Sequence, residues 1–141
     1  MTFEQQISRN IRDGLQALPM LEGVSIVAGN DDGELEMPRI VVEAVRGAVA
    51  IPGHAVYQVP VTITMRANAW MAASADGTVS GNQSIELLWL QVEGFMTGDL
   101  TTLSSNSVVV YGAVYDGGVT DTREDRIIER VYTLTLMAAP R

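Results

Sequence analysis

Apolar residues at the start of the chain recur at helical spacing: Phe3, Ile7, Ile11, Leu15 and Leu18 stand four, four, four and three apart. A stripe of this kind predicts an amphipathic helix over 2–18. Thr2 and Gln5 fit a capping box, with the hydroxyl accepting from the amide three residues on and the Gln side chain accepting from the cap amide. Pro19 stops the helix. Gly14 in its interior costs about 1 kcal/mol relative to Ala, so packing must hold the last turn. The opposite face, with Gln5, Arg9, Arg12, Asp13 and Gln16, is either wet or an interface. A second helix is predicted over 82–96, where Ile85, Leu88, Trp89, Val92, Phe95 and Met96 make a wide apolar stripe. Ser80 with Gln83, or Asn82 alone, can cap it, and Gly98 closes it.

Between and after the helices the period changes to two. Tyr57, Val59, Val61, Ile63 and Met65 alternate with Gln58, Pro60, Thr62, Thr64 and Arg66, the pattern of a strand with one buried face. Pro60 lacks an amide donor, which places this strand at a sheet edge or Pro60 at a bulge. Further strands are predicted over 24–28, 39–46, 108–115 and 127–138. In the last, Ile128, Tyr132, Leu134 and Leu136 share a face with Arg130. Pro52-Gly53 marks a turn, as do Asn30–Gly33 and Asp76-Gly77. Two segments read as long connections: the small-residue stretch 67–81 and the polar stretch 116–126.

The order is helix, three strands, helix, two strands. It predicts an α+β fold over 1–141: a single domain, mainly an antiparallel sheet of about five strands, with two amphipathic helices packed on one face. A chain of 141 residues is near the usual size of one domain, and no internal repeat interrupts it.

Composition excludes more chemistry than it suggests. Nine arginines, no lysine and seventeen acids leave a net charge of −8, which argues against nucleic-acid binding as the main task, since that needs a basic stripe. Without cysteine there is no disulfide, thiolate nucleophile or Cys-ligated metal. Without lysine there is no P-loop lysine and no Schiff base. No apolar run of membrane-spanning length is present, and the N-terminal stretch lacks the apolar core and cleavage site of a signal peptide. No cofactor and no metal is expected.

The remaining candidates are few. Asn30–Glu36 fails as a calcium loop because Ala28 and Arg39 occupy the first and last ligand positions. Asn82-Gln83-Ser84 matches the glycosylation pattern but reads better as a helix cap. His54 follows the Pro-Gly turn, and a hydrolytic triad would have to use it, yet no G-x-S-x-G is present. A small hydrolytic enzyme using His54 and a carboxylate is thus an alternative class of function. Glu43 and Glu129 fall mid-strand, where carboxylates face solvent or pair with Arg. Two groups read as interface candidates. Arg123, Glu124, Asp125 and Arg126, with Glu129 and Arg130 following, form a mixed-charge run that reads equally as a solvated loop or as a contact with a neighbouring subunit, where Arg forks pair with carboxylates. Trp70-Met71 places a large aromatic in a polar connection, which serves equally as an anchor for a partner or as a residue folded back on the sheet.

The layout as a whole resembles the tail terminator, or tail completion, proteins of long-tailed bacteriophages. A short N-terminal amphipathic helix leads to strands, a small-residue loop precedes a second helix, and a hairpin ends in the alternating strand Arg130-Val131-Tyr132-Thr133-Leu134-Thr135-Leu136. The likeness lies in size, element order and ending, covers nearly the whole chain, and carries no diagnostic motif. Other proteins of the phage neck and head–tail junction share it. It implies a homo-oligomeric ring, commonly a hexamer, on the last ring of the major tail tube protein. Such a ring stops tube growth and presents a surface to the head connector. DNA passes through without specific binding, and the protein resides in the virion after assembly in the host cytoplasm.

Overall fold

The computed structural model describes residues 2–29, 38–68, 81–124 and 127–141. Helix α1 (Phe3–Gln16) starts on the predicted capping box. The Gln5 amide donates to Thr2 Oγ1 at 3.3 Å and the Thr2 amide donates to Gln5 Oε1 at 2.9 Å. A 3₁₀ turn at Pro19–Leu21 leads to strands β1 (Ser25–Ala28), β2 (Arg39–Ala44) and β3 (Tyr57–Asn68). Helix α2 (Gly81–Met96), a second 3₁₀ turn (Leu100–Leu103), and strands β4 (Val108–Glu124) and β5 (Ile127–Pro140) complete the order. The Asn30–Gly33 and Asp76-Gly77 turns, and Ser80 as a cap, lie outside the described residues.

The architecture is α+β, mostly sheet. The five strands run in the order β1-β2-β3-β5-β4. All neighbours are antiparallel except β1 and β2, which are parallel with Ser25 opposite Arg39. The alternation read along β3 continues across the sheet. Ile40, Val42, Val59, Val61, Ile63, Met65, Leu134 and Leu136 are buried on one face. Ile7, Ile11 and Leu15 from α1 and Ile85, Leu88, Val92 and Met96 from α2 belong to the same apolar cluster. Each such side chain, fully buried, stabilises by about 1.5–3 kcal/mol, which is what holds short helices that would be marginal alone.

Two expectations change. Strand β3 lies inside the sheet, between β2 and β5, with Pro60 in register opposite Thr135. The missing donor is tolerated because it faces Val45, one residue beyond the end of β2. There the Val45 amide still donates to the Pro60 carbonyl at 3.1 Å. Just past it the pairing is bulged: the Gly47 amide donates to the Gln58 carbonyl while the Gln58 amide donates to Ala48. The second change is larger. The polar stretch 116–124 is not a loop but the outer half of β4, paired with β5 as far as Glu124 opposite Ile127. Val119, Thr120 and Thr122 suit a strand, and its side chains can be polar because it forms the sheet's edge. Of the other long connection, 67–68 belong to β3 and 81 opens α2, while 69–80 lie outside the described residues.

Candidate interaction surfaces

The end of β2 is fastened to α1 by Ser8, a buried hydroxyl that the apolar stripe does not announce. It donates to the Glu4 carbonyl at 3.1 Å and accepts the Ala44 amide at 3.0 Å. Beside it, the Arg46 guanidinium lies 4.6 Å from the Phe3 ring centroid and 5.0 Å from that of Tyr57, and pairs with Glu4 at 3.4 Å. Glu4, Ser8 and Arg46 border an open cleft of about 720 Å³ that also takes in Arg9 and Glu43.

Beyond the bulge the chain closes a small hairpin. The Ala50 amide donates to Val56, and the His54 amide donates to the Ile51 carbonyl at 3.1 Å across Pro52-Gly53. Gly53 has φ +80°, the left-handed value that the third residue of a type II turn requires. His54 is therefore the last residue of an exposed turn. Along the arm that leads into this turn, Val45, Val49 and Ile51 are exposed. Among the described residues no group of three or more His, Asp or Glu gathers as a metal site would need.

Strand β4 forms a second exposed surface. Its register against β5 slips between Val110 and Gly112, between Ala113 and Tyr115, and between Asp116 and Gly118. Each slip inserts one residue, so the strand bends and twists away from a flat edge. Gly118, at φ +99°, occupies a backbone conformation that side chains resist. Tyr111, Val114 and Val119 stand exposed along this strand, at 51%, 44% and 45%. Behind Tyr111 a cleft of about 460 Å³ opens between the end of α2 and β4, with Tyr132 and Leu134 along it.

At the outer end Arg130 gathers three elements. Its Nε donates to Asp121 Oδ1 at 2.7 Å, and its Nη2 donates to Asp121 Oδ2 at 2.9 Å and to Glu86 Oε1 at 2.7 Å. These hydrogen bonds hold the Asp121 carboxyl below the usual carboxylate range and push the Arg130 guanidinium above its ordinary value. Arg130 also lies 5.9 Å from the Trp89 ring centroid, and Trp89 meets Tyr132 edge-on at 5.1 Å. On the other face of the sheet Glu129 pairs with Arg66, directly across the ladder.

Of the interface candidates read from the sequence, Arg123 is exposed on β4 opposite Ile128, and Glu124 ends that strand opposite Ile127. Trp70, Met71, Asp125 and Arg126 lie outside the described residues. Arg130 follows the mixed-charge run on the apolar side of its strand, but its partners Asp121 and Glu86 are not announced by the sequence. No helix among the described residues is long and apolar enough to cross a membrane. A scan against protein-family models and a search of curated proteins found no match.

Proposed function

We propose that this chain is a tail terminator of a long-tailed bacteriophage: a non-enzymatic assembly protein that forms a ring, of six subunits on the family's pattern, at the head-proximal end of the tail tube. The observation that carries the reading is the pair of unlike exposed apolar surfaces. One is the edge strand β4 with Tyr111, Val114 and Val119; the other is the Val45–Ile51 arm of the short hairpin. A cyclic ring needs two different surfaces on each subunit, joined head to tail, and this pair supplies them. The resemblance drawn from the sequence points to the same reading.

The mechanism is steric. A ring seated on the last tube ring covers the surface the next one would need, and its other side is offered to the head connector. An excess of acidic groups would let DNA phosphates slide through rather than bind. Arg123, Glu124, Asp125, Arg126, Trp70 and Met71 are the proposed contacts to neighbouring subunits or the tube.

Native mass spectrometry over a range of concentrations, with electron micrographs of the protein mixed with tail tubes, tests this. Rings that decorate one end of the tubes are expected. A protein that stays monomeric and never binds a tube end overturns it. Rings that bind head connectors but not tubes would reassign it to another station of the neck.

A further inference from the structure

The outer half of β4 is held differently from the rest of the sheet. From Gly117 to Arg123 every residue is exposed, and none belongs to the buried core. The stretch is the outermost strand and is entered through three bulges. Its neighbour β5 is paired on the far side to β3 as far as Asn68 opposite Ile127. The core below this region comes from Ile128 and Tyr132 of β5 and from α2, not from β4. The bidentate Asp121–Arg130 pair and its extension to Glu86 on α2 tie the stretch to the body, alongside the ladder and the close approach of Gly117 to Thr133. The Arg130 side chain is 12% exposed, whereas those of Asp121 and Glu86 are 54% and 57% exposed. The anchor is thus rooted in the body, but its anionic ends are open to salt.

We infer that Arg130 is a latch and that residues 118–124 form a strap, held shut by charge, that opens as a local unit and bares the β5 edge over 127–133. The β3–β5 ladder and the core stay closed when it opens, because residues 118–123 contribute no buried side chain. This inference does not rest on the assembly reading and holds for a monomer.

Amide hydrogen exchange resolved by NMR tests it, on the full chain as wild type, Asp121→Asn and Glu86→Gln, at low salt and at about 1 M sodium chloride, where screening is nearly complete beyond a few ångströms. In Asp121→Asn the inward-facing amides of 118–124 should exchange about tenfold faster, since a charge-assisted bidentate pair is lost from a local opening. Glu86→Gln should show a smaller increase. Salt should speed the same amides in the wild type and leave Asp121→Asn unmoved, while amides of 57–67 keep their protection in every case. Equal rates in wild type and Asp121→Asn would overturn the latch. Loss of protection spreading in proportion to 57–67 would overturn the strap, because opening would then be that of the whole sheet.

Discussion

Ser8 and Gly14 show how much of α1's docking depends on single groups. Replacing Ser8 with Ala strands the buried Ala44 amide, and leaving such a donor unpaired costs about 1–3 kcal/mol. Chemical denaturation should register that loss, whereas Ser8→Thr, which keeps the oxygen, should lose less. Gly14 looked like a defect in a helix. It is instead a seat for Phe95, since a Cβ there would lie 2.3 Å from the ring. Gly14→Ala should therefore destabilise by about 1–3 kcal/mol through overpacking, more than its helix propensity returns. Phe95→Leu in the same chain should recover part of the loss, and a double-mutant cycle reads the coupling directly. Asp121 sets a pH response. Its carboxyl titrates below the usual range in the folded protein because it accepts from Arg130. Its contribution is therefore complete above the ordinary carboxylate value of about 4, and is lost as pH falls through the lowered folded value. Acid titration followed at the 118–124 amides should show this loss in the wild type and not in Asp121→Asn.

Among the elements, those with one buried face were legible and those without were not. In β3 the alternation from Tyr57 to Met65 held, as did the stripes of α1 and α2 and the capping box, because each has a core on one side and water on the other. The outer half of β4 read as a loop for two physical reasons. Residues 117–123 are exposed, so no face needs to be apolar, and the residue inserted at Gly117 shifts the side-chain phase where this half begins. Of the two places Pro60 left open, the edge does not hold, because a missing donor matters only on the side where a partner strand continues and β2 has ended by then, while a bulge does follow at Gln58. Arg130 carried a usable signal, a cation on the apolar parity of a strand. Its partners Asp121 and Glu86 could be named only once the fold had brought them together.

For the molecule as a whole, the proposed ring makes Arg123 informative. It is exposed and lies opposite Ile128 at the end of the long hairpin. Arg123→Glu should weaken assembly, shifting native mass spectra toward the monomer at equal concentration, while the melting temperature of the isolated chain stays within about 1–2 °C, as for a surface change outside the core. Unchanged assembly would leave the hairpin end as ordinary solvated surface and move the subunit contact elsewhere.

The placement of β5 has a consequence for how the molecule comes into being. This strand sits between β3 and β4, and 58 residues lie between the end of its partner β3 at Asn68 and its own start at Ile127. On the ribosome, β3 therefore waits with one flank unsatisfied while α2 and β4 are made. Pairings so distant along the chain slow folding and leave sticky surface bare in the meantime. Only when β5 pairs with both neighbours does the sheet close, so a nascent polypeptide that stalls before residue 127 leaves Val59, Val61 and Ile63 without their partners on that side.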